Sequence, residues 1–320
     1  MGEGAEFMRT RRHGLAALAL ALLVVATPAV AAGRRFAVVV PTVANAFYDA
    51  VAEGCRARAA TYPETTCVVL GPGGEEKRNQ GEILKDLVAE KFDGIAVSPA
   101  RLDEVTPALT AAKAAGIPVV AFDADLPETL RAAFVGTNAR DFGRALGSSL
   151  RRWKPAGGRY ALISGDASVT ALSDRVAGVR DALGAGWTEI EGSPAITTGE
   201  ARSAAGLVDR FLLDHADLDA VISVGAWPLL DEVTWRDIAA RHKERFDRAK
   251  VVIVVADALP LERQLVREGL GHVLVGQRPA DMGARLAEVL DALAAKRRAP
   301  DIVYVGFEVL TRRDLIAEPQ

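Results

Sequence analysis

The chain has 320 residues, half of them hydrophobic and a quarter charged, with a formal net charge of −3. That length has room for two ordinary domains, each with its own core, and the composition excludes a disordered or fibrous protein. A nearly balanced charge, with no block of about five or six like charges, argues against nucleic acid as the main partner.

The first 32 residues form a category of their own. Arg9, Arg11 and Arg12 precede a 12-residue apolar run at 15–26, and small residues follow as far as Ala32. A positive flank, a short apolar centre and a small-residue exit are the pattern of a secretory signal peptide at 1–32, cleaved after Ala31 or Ala32. At ~1.5 Å per residue the run reaches about 18 Å, short of the ~30 Å hydrocarbon slab, so a spanning anchor is the weaker reading. No other segment has the length to span, so the mature protein is expected to be soluble, exported and periplasmic.

From Arg34 onward, strand-like and helix-like segments alternate. Continuous apolar runs predict strands at 36–40, 67–70, 94–97, 117–122, 160–164, 220–224, 251–256 and 273–275. Apolar on both faces, such runs suit a parallel sheet covered by helices on each side. Stripes of period 3.6 predict helices at 46–60, 77–90, 103–115, 140–153, 172–183, 200–214, 229–245, 260–268 and 280–296. The alternation specifies a doubly wound α/β architecture with right-handed crossovers.

The chain also repeats itself. Asp93-Gly-Ile-Ala-Val-Ser-Pro99 returns as Asp219-Ala-Val-Ile-Ser-Val-Gly225, an offset of 219 − 93 = 126, and the strand at 36 returns at 160, an offset of 160 − 36 = 124. Two apolar runs ending in an acid, at 119–123 and 251–257, form a looser third pair. Two similar α/β halves meeting near 136–138 leave a cleft between them, and such clefts favour small ligands.

In open α/β sheets ligands sit beyond the carboxyl ends of the strands, which selects a set of loop residues. Asn45, Phe47 and Tyr48 follow the first strand: an amide to hydrogen-bond a ligand and rings to stack on it, or else an N-cap and core aromatics. Ser98 follows the third strand and by itself reads as a turn. Asp123 and Asp125 follow the fourth, as acceptors for ligand hydroxyls or as caps of a surface turn. In the second half, Arg175 offers planar donors, although a lone helical Arg is more often solvated. Trp227 provides a stacking wall at a strand end. Asp257 ends its strand as Asp123 does, and Gln277 follows the strand at 273–275. Cys55 and Cys67 either close a disulfide in an oxidising compartment or pack as buried thiols; neither has the spacing of a metal site.

No catalytic arrangement stands out. The four histidines do not cluster, and nucleophile-elbow, P-loop and zincin patterns are missing from the sequence. Asp123 and Asp257 as a glycosidase pair would need raised-pKa evidence that sequence does not supply. The expectation is no catalytic residue, no metal and no cofactor. A repressor reading would need a helix-turn-helix ahead of the core, which the arginine-rich leader does not supply.

Val40-Pro-Thr-Val-Ala-Asn-Ala-Phe-Tyr48, Asp93–Pro99, Ile117-Pro-Val-Val-Ala-Phe-Asp123, Val135-Gly-Thr-Asn138, Asp174-Arg-Val-Ala-Gly178 and Val275-Gly-Gln-Arg-Pro279, in that order, resemble the periplasmic sugar-binding proteins of ABC importers. This is the ribose-binding-protein-like group with the type I periplasmic binding protein fold, shared with the cores of LacI-type repressors. The resemblance runs from about Phe36 to about Leu315. It implies two doubly wound parallel-sheet lobes joined by a three-crossing hinge, with 34–137 plus 278–303 as the N-terminal lobe and 138–277 plus 304–320 as the C-terminal lobe. It implies a monomer that captures a sugar or polyol between the lobes and delivers it to a membrane permease. Asn45, Phe47, Tyr48 and Asp123 would hold the sugar from one lobe, and Arg175, Asp257 and Gln277 from the other lobe and hinge. A sensor module without transport, or a secreted carbohydrate-active enzyme, are the alternatives. Three departures from the pattern argue against ribose and for a larger or less polar ligand. Ala46 replaces the usual Pro, Ala124 stands where ribose binders carry an Arg, and Gly225-Ala-Trp-Pro228 replaces an Asn-Asp pair.

Overall fold

An apolar strand with no polar face must be covered on both sides, and this requirement shapes each half of the molecule. The computed structural model describes residues 33–317; the signal peptide expected at 1–32 lies outside the described residues. The first half runs β1 (Arg35–Val39), α1 (Ala46–Ala59), β2 (Thr66–Leu70), α2 (Gln80–Ala89), β3 (Gly94–Val97), α3 (Leu102–Ala114), β4 (Val119–Phe122) and β5 (Ala133–Gly136). The second half follows as α4 (Ala139–Trp153), β6 (Gly158–Ser164), α5 (Thr170–Leu183), β7 (Trp187–Glu189), β8 (Ala195–Ile196), α6 (Ala201–Asp214), β9 (Ala220–Ser223), α7 (Glu232–Arg241), α8 (Lys243–Asp247), β10 (Val252–Ala256), α9 (Pro260–Glu268) and β11 (Val273–Gln277). The chain closes with α10 (Pro279–Ala294), β12 (Ile302–Tyr304), β13 (Phe307–Thr311) and α11 (Arg312–Ala317).

The strands form two sheets, in the orders β12-β5-β4-β3-β1-β2 and β13-β11-β10-β9-β6-β7, with β8 pairing β6. Every pairing is parallel except β11 with β13. Strand membership shows three passages between the sheets: after β5 into α4, after β11 into α10, and between β12 and β13. Alternate residues of β1 feed opposite cores. Phe36 and Val38 pack with α1 and α10, while Ala37 and Val39 pack with α2 and α3.

The sequence repeat corresponds to a structural one. Asp93 Oδ2 accepts from the Arg35 amide at 2.8 Å, and Asp219 Oδ2 accepts from the Arg159 amide at 2.9 Å. In each half this carboxylate accepts from an amide near the start of the leading strand. Cys55 and Cys67 are joined by a disulfide, Cα atoms 6.1 Å apart, which ties α1 to β2.

Several boundaries differ from those expected. The helix expected at 77–90 begins at Gln80 because Asn79 and Glu82 form a reciprocal capping box. The helix expected at 229–245 is broken: a single turn at Trp227–Leu229 comes first, Asp231 then caps α7, and α8 is separate. The strands β5, β7, β8, β12 and β13 were not expected at all. They are short and, β5 aside, partly exposed, and pairing with distant strands is what defines them.

The helices nearest the passages cross at glycine. A Cβ on Gly283 of α10 would sit 1.9 Å from the Val51 carbonyl oxygen of α1, and one on Gly143 of α4 would sit 2.0 Å from that of Arg175 in α5. Backbone atoms cannot yield as side chains do, so Gly283→Ala and Gly143→Ala should each cost about 1–3 kcal/mol in urea denaturation. Gly206, inside α6, has open space around its Cα; Gly206→Ala should instead stabilise by about 0.5–1 kcal/mol.

Candidate functional site

The loops at the carboxyl ends of the two sheets enclose a cavity of about 790 Å³, within the range typical of small-molecule sites, ~300–1,000 Å³. Eight of the ten expected residues line it: Asn45, Phe47, Tyr48, Asp123, Arg175, Trp227, Asp257 and Gln277.

Asp123 and Asp257 follow β4 and β10, and both have left-handed backbones, with φ of 59° and 75°. Asp is among the few non-glycine residues that tolerate this conformation. Each aspartate's amide bonds back to the next strand, Asp123 to the Val135 carbonyl at 3.2 Å and Asp257 to that of Val275 at 2.7 Å. The strand is thereby turned at its last residue, and the carboxylate projects over the strand ends.

The carboxylates are held by neighbours that leave part of their capacity free. Tyr48 donates its hydroxyl to Asp123 Oδ2 at 2.9 Å, and Gln277 donates its amide to Asp257 Oδ1 at 2.9 Å. The Gln277 carbonyl in turn accepts from the Thr137 hydroxyl at 2.9 Å. Arg175 donates Nη1 to the Val224 carbonyl at 2.9 Å, and its guanidinium lies 4.6 Å from the Phe142 ring centre. Among the described residues Arg175 has no ion pair, and its Nε is buried without a partner. Asn45 uses its side-chain oxygen to cap α1 through the Phe47 amide at 2.9 Å. The capping reading and the lining reading therefore both apply, with the oxygen committed and the NH2 group left to donate.

Burial pushes the Asp123 carboxyl above its ordinary value of 3.8, with the nearby Asp257 charge adding to the rise, while the Tyr48 hydroxyl and the Arg175 charge pull it back. The Tyr48 phenol is raised by burial and by the Asp123 charge, so it stays protonated and donates. Behind Asp257, Glu262 is fully buried and burial raises its carboxyl well above the ordinary range.

Two expected residues lie elsewhere. Ser98 is buried behind Asp123, its hydroxyl 3.5 Å from Oδ2, so it supports the carboxylate rather than lining the cavity. Asp125 is directed away from the cleft: it pairs with Arg131, at 2.6 Å to Nε, and caps the Leu126 amide at 2.8 Å. It belongs to the loop between β4 and β5, which corrects its expected place in the site. The sequence reading missed Val169, Leu172, Leu230, Leu259 and Leu261, which also line the cavity; in a helical stripe such residues look like ordinary core. Among the described residues no cluster of three or more His, Cys, Asp or Glu is arranged to hold a metal ion.

Residues 36–298 match the family model described as a periplasmic binding protein domain. The D-ribose/D-allose-binding protein of Pseudomonas aeruginosa is 27% identical over 230 residues, 68% of this chain and 69% of that protein. The D-allose-binding periplasmic protein of Escherichia coli is 26% identical over 274 residues, 82% and 85% of the two chains. A solved ABC transporter solute-binding protein of Burkholderia graminis, in complex with D-arabinose, superposes with a TM-score of 0.77 at 21% identity over 90% of this chain and 98% of that one; that likeness is one of fold.

The raised Asp123 carboxyl sets an expectation. A carboxyl that binds its proton more tightly when folded adds stability at low pH and loses it as pH rises from about 3.8 through the raised value. Asp123→Asn should therefore raise the melting temperature of the ligand-free protein at neutral pH, and the gain should vanish below about pH 4. A melting temperature lowered equally at every pH would show that the Tyr48 bond, not burial, governs this carboxyl.

Proposed function

Because the chain belongs to the periplasmic binding protein domain family, we propose that it is an exported solute-binding protein that captures a sugar or polyol between its two lobes and delivers it to the membrane permease of an ABC importer. The observation that carries this reading is the convergence of Asn45, Tyr48, Asp123, Arg175, Asp257 and Gln277 on one cavity at the strand ends of both sheets. Carboxylates accept hydroxyl hydrogens, and the guanidinium and amides donate to hydroxyl and ring oxygens; a polyhydroxylated ligand needs this mixture. The names of the relatives, which include binders of D-ribose and D-allose, favour a carbohydrate over other polar solutes. The leader at 1–32 fits delivery to the periplasm.

The reading is of binding rather than turnover, as the relatives are named as binding proteins. Each carboxylate is committed to a neutral partner, Tyr48 or Gln277, that orients it as an acceptor. Closure follows from differential contact. Asp123 stands on one sheet and Asp257 on the other, so only the closed form gives a ligand both sets of hydrogen bonds. Hinge closure around a solute is the established motion of periplasmic binding proteins.

Isothermal titration calorimetry with D-ribose, D-arabinose, D-allose, D-glucose, D-galactose and sorbitol should find at least one ligand. Asp123→Asn and Asp257→Asn should each weaken it at least about 10–100-fold, since a hydrogen bond to a charged group is worth about 1.5–3 kcal/mol. Binding should shift the tryptophan emission, and Trp227→Phe should abolish the shift. Folded protein that binds none of these compounds would refute the reading.

A further inference from the structure

The two halves differ most where the repeat predicts that they should agree. With the offset of 124 residues, Asn45 corresponds to Val169 and Tyr48 to Leu172. In the first lobe Asn45 caps α1 and Tyr48 donates to Asp123. In the second, Val169 occupies the N-cap position of α5 with no side-chain cap, and Leu172 lies against Gly165. Val at an N-cap leaves an amide unsatisfied that Asn would satisfy. Val169 is also 47% exposed, and Leu230, beyond the Trp227 turn, is 38% exposed. Both line the cavity. Leu172 and the Trp227 ring pack over the same glycine, Gly165. The indole N–H of Trp227 has no hydrogen bond among the described residues. The second lobe thus lines the cavity with Val169, Leu172, Leu230 and the Trp227 ring, and the same cavity is lined by Arg175 and Asp257.

We propose that Val169, Leu172, Trp227 and Leu230 form a subsite for an apolar substituent carried by the sugar, so that the preferred ligand is an aryl or alkyl glycoside rather than a free monosaccharide. This rests on the carbohydrate reading above and names the class of ligand within it. The polar cluster holds the hydroxyls; the wall removes the aglycone from water. The exposed parts of Val169 and Leu230 would leave water when an apolar ligand group packs on them.

Calorimetry on the full chain tests the proposal. The probes are D-glucose, D-galactose and D-allose, each compared with its phenyl glycoside in both anomers. At least one phenyl glycoside should bind about 10–50-fold tighter than its parent sugar, as expected for burying most of a phenyl ring. In Val169→Asn and in Leu230→Ser that ratio should fall at least fivefold. Val169→Asn restores a capping side chain, so its fold is protected, and its melting temperature should not fall. Parent sugars that bind while no phenyl glycoside gains would overturn the subsite and leave the carbohydrate reading intact. A gain that persists in both variants would overturn its assignment to this wall. Folded protein that binds neither sugars nor glycosides would overturn both.

Discussion

The site depends on two aspartates held in a backbone conformation that costs energy. A non-glycine residue in the left-handed region typically costs about 1–3 kcal/mol, and the surrounding structure must enforce it. Each of these turns carries a backbone hydrogen bond to the next strand, from the Asp123 amide to the Val135 carbonyl and from the Asp257 amide to that of Val275. Without that turn, a residue continuing the strand would alternate into one of the two cores beside it. With it, each carboxylate stands over the strand ends, where Tyr48 and Gln277 reach it. The Arg175 charge acts on Asp123, and among the described residues that cation has no ion pair. The placement of the two carboxylates at the cavity follows from these two turns.

The two halves agree in scaffold and differ in the residues that line the cavity. Asp93 and Asp219 make the same bond to the leading strand, and the glycine crossings of α1 with α10 and of α4 with α5 bring helix backbones equally close. Both features are internal to a lobe, where sheet register and helix spacing leave little freedom. The residues at the start of the first helix of each lobe face the cleft instead. There no packing constraint forces agreement, and Asn45 with Tyr48 on one side stands against Val169 with Leu172 on the other.

What the sequence revealed follows the same division. The long apolar runs of β1, β3, β4, β6, β9 and β10 identify themselves, because burial on both faces demands them. Asp123 and Asp257 could be found because each ends such a run. Asp125 could not be separated from Asp123 by sequence, since its direction is set by Arg131, six residues away in the chain and brought near by the loop between β4 and β5. The apolar lining escaped for the opposite reason: Leu172 and Leu230 are chemically core residues, and only the position of the other lobe turns their surroundings into a cavity. The short strands β12 and β13 carry weak local signals. Each exists because a chain leaving one sheet supplies an edge to β5 or to β11.

The same geometry joins the ligand site to the hinge. Gln277 ends β11 at the second passage between lobes, and Thr137 stands at the first. The Gln277 amide donates to Asp257 while its carbonyl accepts from Thr137, so one planar group links a cleft carboxylate to two of the three passages. A planar amide cannot rotate to satisfy one partner without disturbing the other. A displacement of Asp257 would therefore disturb contacts at two of the chain segments that join the sheets. The reverse also holds, because coupling between binding and closure is reciprocal. Burial and the nearby Asp257 charge both disfavour the charged form of Asp123. A hydroxyl donor at Asp123 would relieve that penalty, and a solute that also reached Asp257 would need the loops of both sheets around it.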